Sequence, residues 1–353
     1  MSAGDFPAGP PVREVRNMIQ SMNFPLSKEC VLPWGSWDAL SEELRLLGLD
    51  GVEGIADPDY YDDAFPASLL TGYHMTFYPD WVDFWRGDEA ALIRKFGSLE
   101  TARGFYRCAS PEDFLEMFRA DFRLARRLGT KYLVFHVSDV SIEEGYTYRW
   151  EHTDREVTDA ALELINAVLE GAGEDPSFDF LVENQWWPGF TFTDPRETEY
   201  LLSRIRYPRV GIMLDTGHLM NTNQSLRTQK DGVAYVLSML EKHGELARAV
   251  KGLHFHQSLS GAYCRRTLGR VPDGFPRDYV EAFGVSYAHI LKIDRHNPWT
   301  DPSCARILDA AEPEYLTHEL SAKPYRSQLA AVKMQIRALR KGINQRGDAA
   351  SPK

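Results

Sequence analysis

The sequence predicts an α/β fold, a (β/α)8 TIM barrel built as a single domain. Three observations predict it. Eight short apolar runs recur along the chain, and amphipathic helical stretches precede most of them. The runs are near-continuous in apolar residues rather than alternating, as parallel strands covered on both faces are. Eight is the number that closes a parallel sheet, and 353 residues hold one barrel of about 250 residues with long connections. A doubly wound open sheet is the competing arrangement. No glycine-rich phosphate loop, neither GxGxxG nor GxxxxGK[ST], follows any strand to support it.

The elements follow in order. Residues 1–14, rich in Pro, Gly and Ala, are expected as a flexible arm, residues 15–341 as the barrel, and residues 342–353 as a disordered tail. NMIQSMNF is the first strand. The helix WDALSEELRLLGLD, stopped at Gly48, leads to the second, GVEGIAD. LLTGYHMTF is the third. A long connection from Tyr78 to about Pro111 follows. The helix PEDFLEMFRADFRLARRLG, apolar at helical spacing, leads to the fourth strand, KYLVFHVS. DREVTDAALELINAVLEGAG leads to DFLVENQ, RETEYLLSRI to RVGIMLDTGH, and GVAYVLSMLEKHGELARA to VKGLHFHQ. A second long connection, from about Ser258 to Asp301, precedes the eighth strand, EYLTHEL. YRSQLAAVKMQIRALRKG is the last helix. Long connections in a compact domain tend to be functional or disordered.

Composition sets limits on function. The chain has 40 Lys+Arg against 51 Asp+Glu, a net charge of −11. That disfavours non-specific binding to nucleic acid or anionic membranes, although a local basic patch leaves nucleic acid open. No apolar run approaches the roughly 18–20 residues of a membrane span, and no signal peptide is read at the N-terminus. Cys30, Cys108, Cys264 and Cys304 are far apart and form no CxxC pair. They read as reduced thiols, and the expected location is cytoplasmic.

The informative pattern lies at the strand ends. The third strand ends at His74, the fourth at His136, and the fifth at Glu183. The sixth ends with Asp215 and His218, the seventh with His254 and His256, and the eighth carries Glu319. In a barrel these ends converge on the face where active sites sit. An unpaired buried carboxylate is costly, so this convergence points to a divalent metal. Imidazole and carboxylate suit zinc, and more oxygen suits manganese. Asp294–Arg295–His296, late in the second long connection, joins the set.

These residues resemble the xylose isomerase-like TIM barrels, which include sugar and sugar-phosphate isomerases and epimerases and the endonuclease IV-type abasic-site nucleases. The resemblance covers about residues 15–340 and rests on YHMTF, VFHVS, FLVENQ, LDTGH, KGLHFHQS, IDRH and YLTHEL. It implies a four-ligand core of Glu183, Asp215, His254 and Glu319. The endonuclease IV type adds His74, His136, His218, Asp294 and His296. His254 is the preferred ligand of the seventh strand, with His256 above it as a substrate contact.

Two chemistries are compatible with the resemblance. In the first, one metal polarises the carbonyl of a small sugar-like, polyhydroxylated substrate, and Glu183 and Glu319 move the proton of an isomerisation or epimerisation. In the second, up to three zinc ions serve phosphoester hydrolysis. The cofactor expectation is therefore one to three ions of zinc or manganese per chain. The surroundings favour the first. The stretches YPDWVDFWRGDE and SDVSIEEGYTYRWEHTDRE are acidic and repel a DNA backbone. Trp186 and Trp187 stand where the endonucleases have a small, glycine-rich turn. Phe77, Trp81, Trp85 and Trp299 also fall near the expected mouth, and a flat aromatic wall stacks on a sugar face or a ring. Trp186, Trp187, Arg295 and Trp299 are read as substrate contacts. Arg265, Arg266, Arg270 and Arg277 offer a place for one small phosphate. Pairing into a homodimer is left open.

Overall fold

Eight parallel strands close on themselves in a computed structural model of the chain. The structure describes residues 18–58, 60–172, 176–321 and 325–350, so the expected arm at residues 1–14 lies outside the described residues. The strands are β1 Ile19–Pro25, β2 Gly51–Ile55, β3 Leu70–His74 and β4 Tyr132–His136. They continue as β5 Asp179–Glu183, β6 Val210–Asp215, β7 Val250–His254 and β8 Tyr315–His318. Each pairs with its neighbour in sequence, and β8 returns to β1 with Ile19 opposite Tyr315.

The register sets up the site. His136 pairs with Glu183, and Asp215 with His254, so their side chains leave adjacent strands on the same side. Lower in the barrel, Tyr132, Val134, Leu181, Met213 and Tyr315 form a small apolar plug. The main core lies between the strands and the surrounding helices.

The helices begin and end where the sequence supplies caps. Trp37–Leu47 starts on Ser36, whose side chain accepts from Ala39 N–H, and stops at left-handed Gly48. Pro111–Leu128 runs between Ser110 and left-handed Gly129. The two long connections are helical, not open loops. Val82–Arg86, Glu89–Phe96 and Leu99–Tyr106 fill the first. Asp88 and Ser98 cap two of these, and Gly87 and Gly97 break them apart. Gly261–Thr267 and Tyr279–Ile290 fill the second, and Ala305–Ala311 follows it before β8.

The last helix, Gln328–Ala350, runs on through the stretch from Gly342 that the composition marks as a disordered tail. The reason is that the apolar spacing does not stop at 341. Ile336, Leu339 and Ile343 continue one stripe against the core. Among the described residues no helix is long and apolar enough to cross a membrane.

Candidate metal centre

Seven of the strand-end residues reach one place because their strands end there. His74, His136, Glu183, Asp215 and His254 are the last residues of β3 to β7, and His256 and Glu319 lie just past β7 and β8. His218 arrives by a cap. Asp215 is the N-cap of the short helix Thr216–Asn221, and its Oδ1 accepts from His218 N–H at 2.5 Å. That turn folds the His218 ring back over the barrel. Gly217 makes room beneath it, since a Cβ there would fall inside the His256 ring. Asp294 and His296 come from the second long connection. His296 sits in left-handed backbone at φ 44°, a conformation that costs a non-glycine residue about 1–2 kcal/mol. Such strain gathers at functional sites.

Three clusters result, each with donor atoms within 4.8 Å of one another. In the first, His74 Nε2 and His136 Nε2 lie 3.3 and 3.0 Å from Glu183 Oε2. In the second, His254 Nδ1 lies 3.3 Å from Glu183 Oε1, 3.2 Å from Glu319 Oε2 and 3.9 Å from Asp215 Oδ2. In the third, His218 Nε2 and His296 Nε2 converge on Asp294 Oδ2 at 3.2 and 2.5 Å. His256 joins the third cluster. Its Nε2 lies 2.8 Å from Asp215 Oδ2, and its ring stacks on His296. Glu183 belongs to both the first and second clusters.

The donor set fits a divalent metal. The outer nitrogen of several rings is already used: His74 Nδ1 faces the Met75 carbonyl, His218 Nδ1 the Asn184 carbonyl, and His254 Nε2 the Glu53 carboxylate. This fixes the inner nitrogen of each ring as the one left for an ion. Inside, Glu183 Oε1 and Oε2, His254 Nδ1 and Glu319 Oε2 are buried without hydrogen-bond partners. Without an ion the cluster balances its charge with protons. Burial pushes the Glu183 carboxyl up, but His136 and His254 prevail and hold it well below the usual range. Burial pushes His254 down, but Glu53, Glu183 and Glu319 carry it well above the usual imidazole value. His136 is lowered by its burial, and Glu319 is raised by its own. A metal entering here displaces protons.

Glu53 is a member of the site that reading the strand ends misses. It is wholly buried on β2, and its carboxylate takes hydrogen bonds from Tyr132 Oη at 2.8 Å and Thr317 Oγ1 at 2.9 Å. Its Oε1 is 2.9 Å from His254 Nε2. The signal was present: one glutamate interrupts the apolar run GVEGIAD. Its position in mid-strand, rather than at the strand end, hid it.

A cavity of about 370 Å3 opens onto His74, His136, His218, Asp294, His296 and Glu319. Trp186, Trp187 and Phe77 line it, with Trp186 5.1 Å from the His218 ring. Several expected contacts lie elsewhere. Trp299 is fully buried behind the barrel wall against Phe255, not at the mouth. Trp81 is buried, with its Nε1 donating to the Ser138 carbonyl, and Trp85 packs on the core. His256, expected as a substrate contact, is wholly buried and is itself a donor of the third cluster. Arg295 is exposed, and Arg265, Arg266, Arg270 and Arg277 are exposed too, with Arg265 bonded to the Gln224 carbonyl. None of these arginines lines the cavity.

Barrel and site together define a class of parallel-barrel proteins with a histidine and carboxylate centre at the strand C-termini. The xylose isomerase-like TIM barrel profile matches residues 42–324, and the chain belongs to that family. L-ribulose 3-epimerase superposes with a TM-score of 0.53 at 13% identity, over 95% of this chain and 97% of that one. Endonuclease IV from Thermus thermophilus gives 0.49 at 15% identity, over 92% and 99%. D-psicose 3-epimerase in the presence of D-fructose gives 0.47 at 12%, over 94% and 98%. At these identities the likeness is one of fold. No curated protein matches the chain.

Proposed function

We propose that this chain is a divalent-metal-dependent enzyme that isomerises or epimerises a small polyhydroxylated substrate. The observation that carries the reading is the cavity. It holds about 370 Å3, it opens directly onto the ligand cluster, and among the described residues no Lys or Arg side chain lines it. That volume suits a small molecule, and without Lys or Arg the walls offer a phosphate nothing beyond the ligand cluster itself.

Glu183, Asp215, His254 and Glu319 would hold the central ion. When bound, such an ion polarises a carbonyl and makes the neighbouring C–H more acidic. The chain supplies the rest. Glu319 faces the cavity with Oε2 free of hydrogen bonds, and burial raises its carboxyl toward the range of a useful proton carrier. Glu183 stands across the cluster on β5, so the two carboxylates address the substrate carbon from different sides. Trp186 and Trp187 keep water from one flank.

The test is deuterium exchange. The metal-loaded protein is incubated in D2O with ketoses, sugar acids and cyclitols, and incorporation at the carbon next to the carbonyl is read by NMR. Exchange that disappears in Glu319→Gln supports the reading. Full exchange in that variant overturns the assignment of Glu319.

A second reading has its own observation: His218, Asp294 and His296 close into a third cluster. Three filled clusters are what a multinuclear zinc phosphoester hydrolase needs. The double variant His218→Ala with His296→Ala separates the two. It eliminates hydrolysis of abasic DNA or small phosphoesters but only weakens a one-metal isomerase.

A further inference from the structure

The cavity has two unlike parts. Its floor is the ligand cluster, and one whole wall is apolar. The helix Tyr279–Ile290 turns Phe283, Tyr287 and Ile290 toward the cavity, at helical spacing, with Leu291 next along the chain. Phe77 and Ile55 face them from the strand side. Four of these side chains stay wet: Ile55 is 36% exposed, Leu291 45%, Phe77 49% and Tyr287 55%. The helix is fixed in place. His289 Nδ1 bonds Tyr263 Oη at 2.8 Å and its ring stacks on Tyr146, which ties the helix to the segments after β7 and β4.

A free sugar does not suit this wall. Its hydroxyls would be taken from water and set against side chains of which few, among them Tyr287 and Ser286, carry a hydroxyl to return a hydrogen bond. The wall gives a sugar phosphate no partner either, because no Lys or Arg side chain among the described residues lines the cavity. Four large apolar side chains held open around one small cavity mark a place where apolar ligand surface is covered.

We infer that the substrate has two parts: a polyhydroxylated head for the ligand cluster and an apolar aryl or alkyl group for the wall formed by Phe77, Phe283, Tyr287, Ile290 and Leu291. The inference rests on the small-molecule reading of this site and narrows its substrate to an aryl- or alkyl-substituted sugar-like compound.

The test uses a head that binds metal whatever the natural sugar is. Full-length, zinc-loaded protein is titrated by calorimetry with acetohydroxamate, butanohydroxamate, hexanohydroxamate and benzohydroxamate. Affinity is expected to rise about fourfold per added methylene, roughly 250-fold over the four methylenes from the acetyl to the hexanoyl compound. Tyr287→Ser and Leu291→Ser each remove about tenfold of the gain for the longer compounds. They leave acetohydroxamate binding and zinc content as they were. A flat series, or no binding by any member, overturns the inference. The deuterium-exchange assay keeps the two ideas apart. Exchange on free ketoses with a flat hydroxamate series leaves the isomerase reading and removes this one. A steep series with no exchange on any substrate does the reverse.

Discussion

The molecule buries two clusters of carboxylates and histidines, and it holds them in opposite ways. At the candidate metal centre, five carboxylates, Glu53 included, and six imidazoles crowd together, and among the described residues no Lys or Arg pairs with them. In the other cluster, Asp80, Asp83 and Asp139 surround Lys95 and His152. Lys95 Nζ lies 2.8 Å from Asp80 and 2.7 Å from Asp83. His152 bridges Asp83 at 3.2 Å and Asp139 at 3.0 Å. Asp139 Oδ1 also accepts from Trp81 and Val82 N–H. This network ties the segment after β3 to the segment after β4. The same residue types serve both clusters. What differs is the source of the cation: one cluster carries its own, and the other leaves lone pairs for an ion from solution.

The largest expected effect is at the residue shared by two metal clusters. Glu183→Gln loses activity by roughly a thousandfold or more, and metal content falls with it. Its chelated form melts a few degrees below the chelated wild type, since the carboxylate that faces His136 at 3.0 Å and His254 at 3.3 Å has been removed. Full metal content in Glu183→Gln would show that Glu183 holds no ion and break the comparison. Lys95→Met works the other way. It leaves three buried carboxylates facing one histidine and costs about 3–5 kcal/mol by denaturant unfolding. Burial and Asp139 already push Asp80 up to about 7, so adding Asp80→Asn to Lys95→Met restores part of the loss. A loss under about 1 kcal/mol for Lys95→Met would mean that the network is ornamental.

Much of the candidate metal centre was legible because its residues sit at strand ends, where a parallel barrel gives them one face, whereas the place of Asp294 and His296 in it came from the family resemblance. The nine candidate ligands fall within three clusters, and His256, read as a substrate contact, is a tenth donor. The Lys95 network was not legible. Its members lie on two connections that read as acidic loops, and only the caps at Asp88 and Ser98 turn the first into packed helices that bury Lys95. The apolar wall was hidden in the same way. YVEAFGVSYAHI is apolar on nearly every side, so periodicity gave no face to assign. Trp299 shows the opposite failure. An aromatic next to the ligand His296 read as a mouth residue, but two residues of turn after His296 carry it behind the barrel wall, where Gln335 accepts from its N–H.

Removing the ion should separate the clusters by a smaller amount. An ion at a hundred times its dissociation constant stabilises the folded chain by about 2.7 kcal/mol per site. Chelation should therefore lower the unfolding free energy of the wild type by a few kcal/mol, and that of Lys95→Met by the same amount, since the Lys95 network holds no ion. Acid should mimic chelation, because the carboxylates at the centre hold His218 and His254 well above the usual imidazole value and protons then compete with metal. Equal unfolding curves with and without chelator would remove the metal from the account of stability.

The smallest effect is in the pH dependence, and there the two clusters can be told apart within one protein. Hydrogen bonds to Asp139 and Asp83 raise His152 to about 10, against about 6.5 when unfolded. A histidine raised on folding contributes stability that is complete below the unfolded value and is lost as pH climbs through the folded one. His152 is half-buried, so the full linkage is discounted, and the loss between pH 7 and pH 10 is about 1–2 kcal/mol. His296 is the counterpart at the metal centre. Burial pushes it down, but Asp294 beside it carries it up to about 10. An ion held by His296 would take the place of its proton, which leaves to solvent, and its share of the pH dependence would disappear, whereas that of His152 would not. Unfolding free energies at pH 7, 8, 9 and 10 should thus fall more steeply in the chelated protein, where His218 and His254 are raised along with His296, than in the zinc form. The remaining slope should be absent from His152→Asn. A zinc form that keeps the whole slope would mean that the ion does not reach His296, and the third cluster would then belong with the Lys95 network as a self-contained ion pair.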